Sequence, residues 1–183
     1  MSTLEVNKIT PSTGTGITLG DSGDTFTIPS GVTLANSGTA TGFGGNNTPA
    51  FLAYNNATQN VTNTTVTTLN FNTELFDTDS KYDTSNNRFT PAEQGKYVLF
   101  ANARVDDANS YQIELEIRTS VHNGIAKTCV VNLNQSSAFV YTVTDLSPTE
   151  YAFVTMYQNQ GGTRTLFSGL TGTFFGGFKL IGA

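Results

Sequence analysis

The stretch Tyr82–Val105, YDTSNNRFTPAEQGKYVLFANARV, decides the fold. A short run ends at Phe89 and Thr90, a polar segment Pro91-Ala92-Glu93-Gln94-Gly95 follows, and a long run extends from Lys96 to Val105. Pro91 fixes φ and lacks an N–H donor, and Gly95 tolerates φ > 0, so the two bracket a turn between paired strands. In the long run Tyr97, Leu99, Ala101, Ala103 and Val105 alternate onto one face. The opposite face carries Val98 and Phe100 before turning polar at Asn102 and Arg104. A strand apolar on both faces is central, or lies against a second partner.

The 183 residues allow one sizeable domain, or a domain plus an appendage. Only 13% are charged, Trp is absent, and 13 Phe and 7 Tyr supply the large apolar groups. Abundant Thr and aromatics favour pleated sheet, Gly and Asn supply turns, and no long stretch has a helical apolar period. These features predict an all-β protein. The net charge is −5, with Lys and Arg scattered singly, which argues against nucleic-acid binding. No run approaches the ~18 apolar residues of a membrane span, so no membrane insertion is expected. The opening MSTLEVNKIT lacks a basic n-region and an apolar h-region, which predicts no classical secretory signal. Cys129 is the only cysteine, so no disulfide forms within the chain; its apolar setting predicts a small buried hydrophobe.

Residues 1–47 differ in composition from 48–183. Leu4/Val6, Ile17/Leu19, Phe26/Ile28 and Val32/Leu34 are short apolar alternations separated by Gly, Ser, Thr, Asp and Pro. They read as strand fragments too short to bury a core, ordered by winding around identical chains or by docking on another protein. An extended N-terminal arm or stalk is expected, ending in the linker Gly42–Asn47. Beyond it, strands are predicted at Pro49–Tyr54, Val66–Phe71, Lys96–Val105, Tyr111–Val121, Ala126–Leu133, Ala138–Thr144, Tyr151–Tyr157 and Thr173–Ile181, with Glu74–Asp83 an irregular connection. Within Tyr111–Val121, Tyr111, Ile113, Leu115 and Ile117 face in, while Gln112, Glu114, Glu116 and Arg118 face water.

Two resemblances attach to these residues. MSTLEVNKITPSTGTGITLGDSG with TFTIPSGVTL resembles the N-terminal segments of fibre and other virion proteins of tailed bacteriophages, especially marine ones. Residues 48–183 resemble the jelly roll of the complement C1q and tumour necrosis factor superfamily. Pro49-Ala50-Phe51 is similar to its opening strand, Tyr82-Asp83 through Phe89 to its "H-Y-D-x-x-x-G-x-F" segment, Gly95–Phe100 to "G-x-Y-x-F", and Phe175–Ile181 to the closing "F-S-G-F-L-L-Y". Asn87 stands where Gly is usual, Lys179 where an apolar residue is common, and Leu146–Tyr151 replaces a Gly-Asp turn. The resemblance implies a C1q/TNF-like ten-strand jelly-roll sandwich that assembles as a homotrimer. Lys96–Val105, Ala138–Thr144 and Thr173–Ile181 would then form its inner sheet, with Val98, Phe100, Val140 and Phe175 at the trimer interface.

Chemistry is sparse by comparison. The single His122 sits in His122-Asn123-Gly124, a turn, and no catalytic triad can be assembled. Asp77, Asp79 and Asp83 are spaced like part of a calcium loop, yet lack its bend Gly and closing Glu. They read first as solvated loop acids, as do Asp106 and Asp107, although the resemblance leaves room for Ca2+ near the top of a trimer. No other cofactor is expected. Glu114 and Glu116 share a strand face at a spacing open to glycosidase carboxylates, but the row reads as a solvated sheet face rather than an enzyme. The phage resemblance implies a structural virion protein on the particle exterior. In this reading residues 1–47 hold other virion proteins, and a trimeric knob meets a host surface glycan or protein. The ligand is expected near Asp106, Asp107, Asn109, Tyr157 and Arg164. The alternatives are a capsid decoration, cement or head-fibre trimer without a ligand, and a polysaccharide depolymerase.

Overall fold

The computed structural model describes residues 9–35, 37, 49–105, 112–131 and 137–180. The chain divides into two units, Met1–Phe43 and Gly44–Ala183, a division that falls inside the Gly-rich run. Among its described residues the first unit has neither strand nor helix. The fragments expected around Ile17/Leu19, Phe26/Ile28 and Val32/Leu34 therefore do not form in the single chain, and all six side chains are exposed. Three or four extended residues find no strand to pair with among the described residues of this unit. Local turns form instead. The Asp24 N–H donates to the Asp21 carbonyl at 3.0 Å, and the Asp21 N–H donates to Asp24 Oδ2 at 2.8 Å. Leu4/Val6 and the whole of the Gly42–Asn47 run lie outside the described residues.

Among its described residues the second unit has 13 strands, paired antiparallel in a two-sheet sandwich. One sheet has five strands in the spatial order β10 (Ser137–Leu146), β7 (Gly95–Arg104), β13 (Phe174–Lys179), β1 (Ala50–Tyr54) and β4 (Thr73–Asp77). The other runs β5 (Tyr82–Asp83), β6 (Arg88–Phe89), β11 (Ala152–Gln158), β8 (Gln112–Thr119) and β9 (Ala126–Val131), with β3 (Thr67–Thr68) also on β11. A third, two-stranded piece pairs β12 (Arg164–Thr165) with β2 (Asn60–Val61).

The polar segment after Phe89 was expected to join paired strands. Instead β6 belongs to one sheet and β7 to the other, and the segment crosses between layers. Packing explains the crossing. Phe89 and Tyr97, at its two ends, meet edge to face inside the sandwich with centroids 5.6 Å apart. Phe51 of β1 lies at the centre of this core, stacked on Phe89 at 4.5 Å and Tyr82 at 5.2 Å, with Phe175 edge-on at 5.1 Å. Such pairs contribute roughly 0.5–1.5 kcal/mol each beyond their burial.

Two further expectations change. Glu74–Asp83 is not irregular throughout: β4 pairs with β1, with a register shift between Leu52 and Ala53, and β5 pairs with β6. The strand expected over Val66–Phe71 shortens to β3 because side chains take its backbone bonds. The Gln59 carboxamide accepts from the Asn70 N–H and donates to the Thr68 carbonyl, both at 2.8 Å. Asn87 Oδ1 accepts from the Phe71 N–H at 2.7 Å.

Candidate functional site

Opposed residues in an antiparallel pair share a face, so the register assigns the outer surface of the five-stranded sheet. Phe100 faces Tyr141 on β10 and Gly176 on β13; Val98 faces Val143 and Phe178. Leu52 opposes Gly176, and Phe76 opposes Leu52, which carries the same face onto β1 and β4. Tyr141 is 70% exposed and Phe139, Val143 and Phe76 are also exposed. Val98, Phe100, Leu52, Phe174 and Phe178 are half-buried among one another. Gly176 makes room for this arrangement: a Cβ there would lie 2.6 Å from Phe100 Cζ and 2.9 Å from Leu52 Cδ1. The result is a broad aromatic and aliphatic face that no described strand of the second unit covers. Apolar patches of this kind mark interaction surfaces.

Val98 and Phe100 lie on that face, but Val140 and Phe175 do not. Both oppose Ala101 and point into the sandwich, where Val140 is 3% and Phe175 0% exposed. They belong to the core of their own chain and cannot meet a neighbour. Each is one residue from an outward aromatic, and alternation turns that single step into the opposite side of the sheet. The outward residues missed in the sequence are Phe139, Tyr141, Val143, Phe174, Phe178, Leu52 and Phe76. In β10 the signal was present, because Phe139, Tyr141 and Val143 alternate with Ala138, Val140 and Thr142.

The outer face of the other sheet is charged. Glu114 accepts from Lys127 Nζ at 2.8 Å and from Gln112 Nε2 at 2.6 Å, and Arg118 Nε donates to Glu116 at 2.6 Å. The hydrogen bond to Glu114 holds the Lys127 ammonium above its usual pKa. Cys129 opposes Glu114 and is exposed. The expected burial fails because Lys127, Cys129 and Val131 form the outward set of β9.

Tyr157 stands on this face opposite Glu114, whereas Arg164 lies on β12 opposite Val61. Gln158 links the two regions, its amide donating to the carbonyls of Val61 at 3.0 Å and Gly162 at 2.7 Å. Asp106, Asp107 and Asn109 lie outside the described residues. The loop aspartates spend their oxygens locally. Asp77 accepts from the Tyr82 N–H at 2.7 Å and the Asp79 N–H at 3.3 Å, and Asp83 accepts from the Ser85 and Asn86 N–H groups. Hydrogen bonds from Asn86 hold the Asp83 carboxyl below its usual range. Among the described residues no three His, Cys, Asp or Glu side chains converge as a metal site. His122 closes a turn, its N–H donating to Thr119 Oγ1 at 3.0 Å.

No protein-family model matches the sequence, and no curated protein does. Solved structures do match the fold. The globular domain of a zebrafish complement 1qA protein aligns with TM-score 0.52 at 18% identity, over 72% of this chain and 96% of that one. Murine APRIL aligns with TM-score 0.54 at 13% identity, over 72% and 98%. The fold is a C1q/TNF-like jelly roll.

The jelly roll also accounts for the three departures from the resembled motifs. Asn87, where Gly is usual, has φ +54°, a left-handed conformation that Asn tolerates better than most residues. Lys179 extends across Gly95, where a Cβ would lie 2.7 Å from its Cε, and donates to Glu93 at 2.7 Å. That bond lowers the Glu93 carboxyl and raises the Lys179 ammonium. At Leu146–Tyr151 a capped turn replaces Gly-Asp: the Ser147 N–H donates to Glu150 Oε2 at 2.8 Å, and the Glu150 N–H donates to the Ser147 carbonyl at 3.0 Å.

Proposed function

We propose that this chain is a non-enzymatic, homotrimeric knob-and-arm protein of a bacteriophage virion. It stands on the particle exterior and attaches the particle to a host surface. The observation that carries the reading is the bare apolar face built on β10, β7 and β13. A charged face needs no cover in water, whereas Phe139, Tyr141, Val143 and Phe76 left exposed together would be adhesive. Each such side chain contributes about 1.5–3 kcal/mol when fully buried, so closed association of identical copies is a strong sink for this surface. Three copies rather than two follow from the resemblance of Gly95–Phe100 and Phe175–Ile181 to the complement and tumour necrosis factor jelly roll. The virion assignment rests on the resemblance of the opening segment to phage fibre proteins.

In this arrangement the arm, residues 1–47, engages other virion proteins. Its apolar side chains, exposed in the single chain, would be covered by that docking or by winding around sister arms. A depolymerase role finds no support, because Glu114 and Glu116 are tied to Lys127, Gln112 and Arg118 rather than poised in a cleft.

Light scattering on the purified full chain tests the assembly: three times the chain mass is expected, and a stable monomer at micromolar concentration would overturn it. Competition of the purified protein with particle adsorption tests attachment. A trimer that occupies the capsid and leaves adsorption untouched would make this a decoration protein instead.

A further inference from the structure

On the charged side of the molecule two pockets share one wall, and that wall is Arg88. The first, of about 200 Å³, is lined by Thr68, Asn86, Arg88, Tyr151 and Phe153. The second, of about 410 Å³, includes Lys81, Arg88, Thr90 and Pro148 in its lining. Ala152 of β11 opposes Phe89 of β6 and both are buried, so Tyr151, Phe153 and Arg88 emerge side by side from the outer face. The two rings are tilted by 44° with centroids 5.9 Å apart. The Arg88 guanidinium lies 4.6 Å above the centre of the Tyr151 ring.

This seat leaves Arg88 with unused capacity. Stacking on a ring engages the face of the guanidinium and leaves its edge N–H groups for a planar acceptor. Among the described residues no carboxylate lies within ion-pair distance of Arg88 or Lys81. Asp83 opposes Arg88 in the β5–β6 pair and also lines the larger pocket. Its carboxylate is already committed to the N–H groups of Ser85 and Asn86 and to the Asn86 side chain. Elsewhere on this sheet the cations are spent: Lys127 on Glu114 and Arg118 on Glu116. Arg88 lends Asp83 only a lesser, through-space share of the charge that lowers its carboxyl, so two cations without an ion pair among the described residues stand beside an aromatic shelf on a chain of net charge −5.

We propose that this is a binding site for an acidic saccharide, one bearing a carboxylate or sulfate. The C–H face of a pyranose ring packs on Tyr151 and Phe153, and Thr68 and Asn86 meet its hydroxyls. The anionic group sits at the shared wall, where the Arg88 fork takes it bidentately and the Lys81 ammonium adds charge. The inference gives a chemical class and a place to the host ligand of the attachment reading, on which it rests. It moves the ligand from the loops around Tyr157 and Arg164 to the β6–β11 edge. In the proposed assembly this face is turned away from the apolar interface, so three sites act together and weak single-site binding is raised by multivalency.

The test uses the full-length assembled protein, immobilised and titrated with polygalacturonate, dextran sulfate and unmodified dextran, and assayed in parallel for competition with particle adsorption. Binding to either anionic polymer and not to dextran is expected, and the responding polymer distinguishes carboxylate from sulfate. Arg88→Gln should weaken it by roughly tenfold or more, the order for loss of a charge-assisted bond, with the mass of the assembly unchanged. Tyr151→Ser should weaken it too, while Lys127→Gln, on the same face but outside the pockets, should not. Equal binding to dextran, unaltered binding by Arg88→Gln, or no binding by an intact assembly would overturn the site. Competition with adsorption alongside failed saccharide binding would overturn the site and keep the attachment reading; saccharide binding lost in Arg88→Gln without competition would do the reverse.

Discussion

The two sheets of this sandwich share a core but differ outside it. Beyond β10, β7 and β13 the surface is Phe139, Tyr141, Val143, Phe100 and Phe178; beyond β8 and β9 it is Glu114, Glu116, Arg118 and Lys127. The inner faces of both sheets supply the one apolar core, so the fold alone does not require the difference. An ordinary antiparallel sheet buries one face and wets the other, as β8 does. The β7 sheet departs from that rule, and its departure points to a partner. The contrast teaches that the outward residues of a sheet carry the information about association, while the inward ones report only that the chain folds.

The sharpest way to break this comparison is to place a charge on the apolar face. Tyr141→Glu removes a side chain that is 70% exposed and is not part of the core. It should abolish the assembly while leaving the chain folded, seen as monomer mass by light scattering with unchanged circular dichroism. Phe100→Asp should give monomer or aggregate; a stable native trimer from either variant would remove Val98 and Phe100 from the interface. Phe175→Ala probes the opposite side of the same sheet. As a fully buried ring in contact with Phe51, Phe71 and Tyr82, it should cost about 3–5 kcal/mol of folding stability in denaturant titration. If its effect were on assembly alone, the inward assignment of Phe175 would be wrong.

On the charged sheet, Glu114→Gln breaks the bridge to a half-exposed Lys127 and should change stability by less than about 1 kcal/mol, with no change of assembly. The smallest effect is expected from acid. Asp83 and Glu93 have folded-state pKa values below their unfolded ones, so their contribution is present above the unfolded values and is lost as pH falls through the folded ones. Thermal midpoints should therefore hold above about pH 5 and decline slightly below about pH 4, and Glu93→Gln should flatten part of that decline. A decline centred near neutrality would point to other groups.

Much of the fold is legible in the sequence. The alternation in Gln112–Thr119 assigned its faces correctly, because Gln, Glu and Arg on one side leave no choice. Tyr82-Asp83, Gly95–Phe100 and the closing Phe-rich strand pointed to the jelly roll, which the solved structures bear out. The failures have a common form. Val140 and Phe175 belong to strands with apolar groups on both faces, where a period of two offers two equivalent phases and no polar residue breaks the tie. Cys129 failed for the same reason, lying among Thr and Val. The Arg88 site was illegible because its members, at 68, 86, 88, 151 and 153, share no spacing and meet only where β3, β6 and β11 are brought together.

The sequence by itself determined the secondary-structure class, the inward face of β7 and the water-facing row of β8. Those depend on local geometry and on hydration of single side chains. Only the tertiary structure decided that Pro91–Gly95 crosses between sheets, that Phe139 and Tyr141 rather than Val140 face outward, and that Arg88 comes to rest on Tyr151. The physical reason is that strand pairing couples residues far apart in the chain. One cross-strand register, Val140 against Ala101, sets every other side chain on β10 at once.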